Sequence, residues 1–319
     1  MKRKKSVFVL VCVLVCFIAA SIFSLAQEER GSLDFKVLGD EAFQTILQFY
    51  QYDKDVPLDS VVVEKLETNE YIREKIAFKG AEDLWVPGYL ALPKTANPPY
   101  PCVLQIHGMT LSKDDWWDDN SNHRGNLLTP KLLAEGIAVL ALDYPYHGDR
   151  SILNDFESPV TMLFRQRRIY KFRSMVINGV IDYRRALDYL ATREEIDSSR
   201  IGVIGSSIGG TMSLILTGVD SRIKATTACV APALMHPIFS GQPDISAIAP
   251  YNFIRTYEGR PLLMLMGRKD DFNYTVEEAQ ALFDLVKGKQ KELVFYDCGH
   301  RLPEEYIAEA LDWYVAHLK

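Results

Sequence analysis

Short apolar runs, each bounded by charged residues, glycine or proline, alternate with segments in which apolar positions recur every three or four residues. The short runs indicate buried strands, and the helical spacing indicates helices with one buried face. The predicted strands lie at 102–106, 137–142, 201–204, 224–230, 261–266 and 292–296. The predicted helices lie at 129–135, 175–191, 275–286 and 303–318. Strands that alternate with helices predict a mostly parallel sheet with helices on both faces, an α/β fold.

A different pattern precedes this alternation. Residues 71–78 and 85–92 indicate an antiparallel hairpin, and helical spacing over 41–50 indicates a short helix before it. We therefore predict an N-terminal lead-in over 27–70 and an α/β domain over 71–319. Within that domain, 231–260 holds four prolines and no clear period, which favours a small cap insertion over the site.

The first 26 residues have a separate character. Four basic residues precede an uninterrupted apolar run over 7–20, and Ser24 and Ala26 occupy the two positions that signal peptidase recognises. This pattern predicts a signal peptide cleaved after Ala26. The alternative is an uncleaved membrane anchor, because 6–27 carries no charge for 22 residues. Both interpretations place the rest of the chain outside the cytoplasm. It would be secreted or periplasmic, or anchored to the membrane by its N-terminal segment.

Composition narrows the class of protein further. The chain has 319 residues, of which 48% are hydrophobic and 24% charged, as in ordinary globular domains. A net charge of −6 gives no indication of a nucleic-acid partner. Beyond the N-terminal segment only Cys102, Cys229 and Cys298 remain, which is no disulfide framework. Metal-ligand spacings and dinucleotide-binding glycine patterns are absent from the sequence, so we expect neither a metal nor a cofactor.

The strand predicted at 201–204 runs directly into a Gly-x-Ser-x-Gly motif. Gly205, Ser207 and Gly209 hold its fixed positions, and an apolar stretch with helical potential follows at 211–216. Strand, sharp turn and helix form the context of a nucleophile elbow. Glycine is needed because so tight a turn leaves no room for a Cβ atom beside the nucleophile. Ser207 is therefore the candidate nucleophile; the alternative is a turn that contains a serine by chance.

A serine hydroxyl needs a base to take its proton, and a histidine needs a carboxylate to orient it. His300 follows the last predicted strand, at the edge of the sheet where Ser207 is expected. Asp270 and Asp271 follow the strand at 261–266, and either could supply the carboxylate. Five other histidines compete less well. His107 and His147 end predicted strands, and His123, His236 and His317 lie in no motif.

These motifs resemble those of the α/β-hydrolases, in particular the secreted esterase and dienelactone-hydrolase-like branch. The resemblance covers about 71–318 and rests on four motifs in the family's order: Ile106-His107-Gly108, the elbow, Gly267-Arg268-Lys269-Asp270, and Gly299-His300. The family order of serine, acid and histidine implies a triad of Ser207, Asp270 and His300. It also implies an oxyanion hole made by the backbone N–H groups of Met109 and Ile208, with His107 in the oxyanion loop.

A segment just beyond that loop, 113–119, places two tryptophans among carboxylates. Aromatic rings with carboxylates suit a sugar, so Trp116 and Trp117 are candidate substrate-binding residues. Because they are consecutive, at most one of them can face the pocket. The alternative is the start of a helix, with acidic residues near its positive end and buried tryptophans.

Together these features predict an exported serine hydrolase that cleaves a carboxylic ester of modest size through an acyl-enzyme. Its expected partner is a small-molecule ester, and membrane contact is expected only through an uncleaved N-terminal segment. Three alternatives stay open: a peptidase of the same fold, an acyltransferase that passes the acyl group to an alcohol, and a hydrolase-fold protein that only binds its ligand.

Overall fold

A computed structural model of the chain describes residues 35–118 and 123–319, apart from the side chains of residues 243 and 244. The predicted signal segment 1–26 and Asp119 lie outside the described residues. The strands within the described ranges are β1 (Val61–Glu67), β2 (Tyr71–Lys79), β3 (Trp85–Pro93), β4 (Tyr100–Ile106), β5 (Ala138–Leu142), β6 (Ile196–Ser206), β7 (Ile223–Cys229), β8 (Leu262–Gly267) and β9 (Lys291–Tyr296).

These strands form one sheet in the order β1-β2-β3-β5-β4-β6-β7-β8-β9. Antiparallel pairing joins β1 to β2, β2 to β3 and β3 to β5. Every pairing from β5 through β4 and β6 to β9 is parallel. The predicted parallel sheet with an N-terminal antiparallel hairpin is thereby confirmed.

Strand β1 is an addition that the sequence pattern did not reveal. It lies inside the predicted lead-in, and it pairs with β2 from Val61 opposite Ala77 to Glu67 opposite Ile72. All seven of its positions are exposed, so it shows no alternation between a buried and a solvated face. The sheet therefore begins ten residues earlier than the hairpin predicted at 71–92.

Helices cover both faces of the sheet. The α-helices of the described residues are α1 (Asp40–Leu47), α2 (Gly125–Ala134), α3 (Ile169–Ala191), α4 (Ile208–Val219), α5 (Val276–Asp284) and α6 (Tyr306–Leu318). Successive residues of a strand point to opposite faces, and in β6 Val203 belongs to the apolar cluster under α3 and α4. Its neighbour Ile204 belongs to the cluster under α2 and α6. The central strands are consequently buried on both sides.

The chain between β7 and β8, which includes the predicted cap segment, contains only short 3₁₀ turns. They lie at Pro237–Phe239, Pro243–Ala247, Pro250–Asn252 and Ile254–Thr256. The hydroxyl of Tyr50 donates to the carbonyl of Ala247 at 2.6 Å, and the side chain of Asn252 accepts from the backbone of Leu38 at 3.0 Å. The segment is thus held against the N-terminal part of the chain.

Candidate active site

The turn between β6 and α4 has the geometry of a nucleophile elbow. Ser207 occupies it with φ 58° and ψ −125°, a strained conformation that costs about 1–3 kcal/mol in a non-glycine residue. A Cβ atom at Gly205 would lie 2.0 Å from the carbonyl oxygen of Gly209, and one at Gly209 would lie 2.3 Å from that of Ile106. The two motif glycines are required because backbone atoms occupy the space of a side chain.

The structure brings the three predicted triad residues together. His300 Nε2 lies 2.8 Å from Ser207 Oγ, and His300 Nδ1 contacts Asp270 Oδ2 directly. Ser207 follows β6, Asp270 follows β8 and His300 follows β9. These parallel strands end at the same edge of the sheet, which is where α/β proteins bind their ligands.

The two adjacent carboxylates, Asp270 and Asp271, differ in how deeply they are buried. The side chain of Asp270 is 4% exposed and contacts His300, whereas Asp271 is exposed. Asn273 Nδ2 donates to Asp270 Oδ1 at 2.8 Å, and the same nitrogen lies 3.0 Å from His300 Nδ1. Sequence reasoning missed Asn273. Its spacing of three residues from Asp270 is the only trace in the sequence, and such spacings are common in loops.

Both predicted oxyanion residues line one cavity with Ser207. Ile208 is the first residue of α4, so its backbone N–H has no acceptor within the helix. Met109 follows Gly108, whose carbonyl oxygen lies 2.8 Å from His107 Nδ1 and accepts from the backbone of Leu111 at 3.2 Å. Since that carbonyl and the N–H of Met109 belong to one peptide group, His107 fixes the orientation of the Met109 N–H.

Two of the histidines that compete with His300, His107 and His147, contact backbone carbonyls instead of Ser207. His147 Nε2 lies 2.7 Å from the carbonyl oxygen of Met109, and the ring of His107 stacks on Tyr144 with centroids 4.2 Å apart. Burial lowers the pKa of His147 to about 4 and that of His107 well below its usual value. Both rings are therefore neutral near pH 7, and both support the loop that carries Met109.

A cavity of about 300 Å³ opens at Ser207. Ser207, His300, Met109 and Ile208 all line it. Most of its other walls are apolar side chains: Leu111, Val160, Leu163, Phe164, Phe172, Pro232, Leu234, Phe239 and Phe272. Such a cavity, apolar with a few convergent polar groups, is typical of a small-molecule site.

Trp116 and Trp117 do not line this cavity, which corrects the expectation that one of them borders the substrate. Trp116 is 1% exposed and stacks on His123 with ring centroids 4.0 Å apart. Trp117 packs against Tyr71, with ring centroids 5.4 Å apart, and under the guanidinium of Arg73. Both tryptophans are packing residues in this structure.

The physical reason lies in the turn that precedes them. Ser112 and Asp115 form a capping box around the 3₁₀ turn Lys113–Trp116. Lys113 is buried, and its Nζ lies 2.9 Å from Asp143 Oδ2. Burial disfavours the charged ammonium, but the surrounding carboxylates outweigh this effect and raise the pKa of Lys113. This ion pair clamps the loop after β4 to the loop after β5 and sets the directions of the tryptophans.

The described residues contain neither a group of metal ligands nor a disulfide bond. There, no cluster of three or more His, Cys, Asp or Glu side chains is placed to hold a metal ion. Cys102 and Cys229 are buried free thiols, and Cys298 is half-buried. Burial raises the pKa of the Cys298 thiol, so it is less acidic than an exposed cysteine.

Residues 34–257 match the family model described as acetyl xylan esterase (AXE1), and they make up more than half of the 319 residues. The chain belongs to the acetyl xylan esterase family. This is a family of carboxylic ester hydrolases, as the resemblance to the esterase branch of the α/β-hydrolases implied. The matched residues include the elbow and the oxyanion loop, and they end before Asp270 and His300.

Two curated relatives of this acetyl xylan esterase family member share less than a third of their aligned residues with it. The chain is 28% identical over 209 residues to YtaP of Bacillus subtilis (strain 168), which is named as a hydrolase. It is 26% identical over 238 residues to the esterase FrsA of Vibrio cholerae. The aligned part covers 62% of this chain and 62% of YtaP, and 73% of this chain and 45% of FrsA. The chain thus spans less than two thirds of the length of either relative.

Solved acetyl xylan esterases share the fold of this family member. The enzyme from Paenibacillus sp. R4 has a TM-score of 0.67 at 20% identity, over 89% of this chain and 96% of that one. Acetyl xylan esterase 1 from Thermoanaerobacterium sp. JW/SL YS485 has a TM-score of 0.70 at 15% identity, over 91% and 98%. At these identities the likeness shows the α/β-hydrolase fold alone.

Proposed function

We propose that this chain is a serine esterase in which Ser207, His300 and Asp270 form the catalytic triad. The observation that carries the proposal is the 2.8 Å distance between Ser207 Oγ and His300 Nε2, both of which line the cavity. Membership in the acetyl xylan esterase family supports the reaction class. The buried contact between Asp270 and His300 Nδ1 supports the role of Asp270.

The chemistry follows from these contacts. His300 Nε2 accepts the proton of Ser207 while Oγ attacks the ester carbonyl carbon. The resulting oxyanion is stabilised by the backbone N–H groups of Met109 and Ile208, at the positive end of α4. His300 then gives the proton to the departing alkoxide, which leaves an acyl-enzyme on Ser207. Water enters and attacks the acyl carbon while His300 takes its proton. The second tetrahedral intermediate then collapses as His300 returns that proton to Ser207 Oγ, which releases the carboxylic acid and restores the enzyme.

Asp270 keeps the imidazole in the orientation and tautomer that this cycle needs. With Nδ1–H directed at Asp270, the lone pair of Nε2 faces Ser207 Oγ. The carboxylate also stabilises the imidazolium that forms during each proton transfer. Asn273 holds the other oxygen of Asp270 and thereby fixes the carboxylate itself.

The proposed substrate is a small carboxylic ester, and the proposed site of action lies outside the cytoplasm. The cavity of about 300 Å³ matches a ligand of modest size. The basic head, apolar run and small residues of 1–26 support export. None of the helices in the described parts of the chain combines the length and apolar character that a membrane span requires.

Covalent labelling tests the triad directly. The wild type should react with a fluorophosphonate at Ser207, and Ser207→Ala should lose both labelling and hydrolysis of p-nitrophenyl esters while it keeps its circular dichroism spectrum. Ser206→Ala is the matched control, because Ser206 is the adjacent serine at the end of β6, and it should still be labelled. Labelling at Ser206, or an unlabelled wild type, would refute the proposal.

A further inference from the structure

Several of the most buried side chains that line the cavity are apolar, and the part of the lining that they form is called its buried end. Leu163 comes from the π-helical turn Thr161–Arg165, Phe172 comes from α3, and Phe239 comes from the segment after β7. These side chains are 1%, 0% and 7% exposed, respectively. Three separate parts of the chain thus line the cavity with apolar side chains, which no hydrogen-bonding group of a sugar would match.

Three aromatic rings stand in mutual contact on another part of the cavity lining. Phe164, His236 and Phe272 have ring centroids between 4.9 and 5.7 Å apart. Each belongs to a different segment: the turn before α3, the cap segment, and the loop after Asp270. Phe272 is 41% exposed, so this cluster reaches from the cavity to the protein surface.

The size of the cavity exceeds what an acetyl group needs. A volume of about 300 Å³ holds on the order of ten non-hydrogen atoms at about 30 Å³ each. An acetyl group would occupy a small part of it and leave the walls formed by Leu163, Phe172 and Phe239 without contacts. A longer apolar chain would replace water along those walls and gain affinity with each methylene group.

We propose that this cavity binds an apolar acyl group of about four to eight carbons, so that the enzyme prefers medium-chain esters to acetates. This inference rests on the esterase function proposed above and names the substrate class of the same site. It differs from the acetyl group that the family name specifies.

The acyl group, and not the alcohol, is assigned to the buried end for a chemical reason. His300 protonates the leaving alkoxide, so the alcohol lies beside His300, whose side chain is 33% exposed. The alcohol must then depart so that water can enter. The acyl group stays bonded to Ser207 through that exchange, so it can remain against the apolar wall while water replaces the alcohol.

The first test compares chain length on the two sides of the ester bond. For p-nitrophenyl acetate, butyrate and hexanoate, kcat/KM should rise about fourfold for each added methylene, or on the order of 100-fold from acetate to hexanoate. Ethyl hexanoate and hexyl acetate are isomers that differ only in which side carries the chain. Ethyl hexanoate should be hydrolysed at least tenfold faster at equal, subsaturating concentration.

A substitution that reduces the free volume of the cavity provides the second test. Val160 lines the cavity and is half-buried, so the larger side chain of Val160→Phe should occupy part of the binding space and reduce its free volume. The variant should lower the hexanoate-to-acetate ratio of kcat/KM at least tenfold. Val62→Phe is the matched control on the exposed strand β1, and it should leave the ratio unchanged. The chain-length series on the wild type stands without either variant, should one fail to fold.

The outcomes separate this inference from the proposed function. If acetate is hydrolysed as fast as hexanoate, and Ser207→Ala abolishes both activities, the esterase stands and the acyl cavity is refuted. A faster reaction with hexyl acetate would assign the cavity to the alcohol and overturn the acyl assignment. If the folded wild type hydrolyses none of these esters and is not labelled by a fluorophosphonate, the esterase proposal itself fails, and this inference fails with it.

Discussion

His147 Nε2 lies 2.7 Å from the carbonyl oxygen of Met109, so a ring that follows β5 supports the proposed oxyanion loop that follows β4. Its other nitrogen lies 2.9 Å from the carbonyl oxygen of Pro145. Burial lowers the pKa of His147 to about 4, so near pH 7 the ring carries one N–H and can donate to only one of these carbonyls. The contact with Met109 bears on the proposed mechanism, because it restrains the residue whose N–H is proposed to stabilise the oxyanion.

We therefore predict that His147→Phe, which keeps a ring but removes the donor, lowers kcat by about tenfold to 100-fold and changes KM little. Outright loss of an oxyanion donor costs about 10²–10³, and a loosened donor should cost less. Steady-state kinetics and denaturant unfolding measure the two effects separately. His317→Phe, in the last turn of α6, is the control and should keep its kcat. An increase in KM at constant kcat would show that His147 acts on ground-state binding instead.

The adjacent carboxylates allow a matched comparison. Asp270→Asn should lower kcat by about 10⁴, because an amide favours the wrong tautomer of His300. Asp271→Asn should keep most of the activity, since Asp271 is exposed while Asp270 contacts the imidazole. The measurement is kcat on one p-nitrophenyl ester, with circular dichroism to verify folding. Equal losses in the two variants would remove the distinction between them.

Sequence reasoning reached the proposed triad because each of its residues is marked locally. The Gly-x-Ser-x-Gly turn identifies Ser207 by steric need, and Asp270 and His300 lie directly after short apolar strands. In a parallel sheet, loops after such strands meet at one edge. The chain order of the three residues then leaves little freedom, and the structure brings them together as expected.

The directions of Trp116 and Trp117 could not be obtained in the same way. They depend on the burial of Lys113, which is paired with Asp143 thirty residues later in the chain. A lysine is rarely buried, so nothing in the local pattern predicts that this one points inward. Strand β1 was not predicted for a different reason: all of its positions are exposed, so hydrophobic residues do not mark one of its faces.

The cavity walls were equally hidden. Leu163, Leu234 and Phe272 lie on a π-helical turn, an irregular segment and a loop, respectively. None of these segments has a hydrophobic period, so their apolar residues carry no directional information. Their convergence is a property of the tertiary fold and becomes visible only in the structure.

The two tryptophans should now separate by stability and not by substrate binding. Trp116→Ala should lower the free energy of unfolding by about 3–5 kcal/mol, as for other buried aromatic residues. Trp117→Ala should cost about 1 kcal/mol, because the half-buried ring loses its contact with Arg73. Denaturant unfolding measures both, and KM for an acetate and an acetylated sugar should not change. A rise in KM confined to the sugar ester of Trp117→Ala would restore that residue as a substrate contact.

The ring that stacks on Trp116 predicts how stability depends on pH. Burial lowers the pKa of His123 to about 3, from an ordinary value of about 6.5 in the unfolded chain. As the pH falls below about 6.5, the unfolded state binds a proton that the folded state excludes, so stability falls and continues to fall until about pH 3. At pH 5 this one histidine should cost about 2 kcal/mol relative to pH 8.

His123→Phe should remove that dependence while it preserves an aromatic ring against Trp116. We expect the loss of unfolding free energy between pH 8 and pH 5 to be about 2 kcal/mol smaller in the variant than in the wild type. His107 and His147, whose pKa values are also lowered by burial, destabilise both proteins in acid and cancel in the comparison. Unfolding in urea at the two pH values gives the difference directly. Parallel stability curves would mean that the imidazole of His123 becomes protonated in the folded protein as readily as in the unfolded chain.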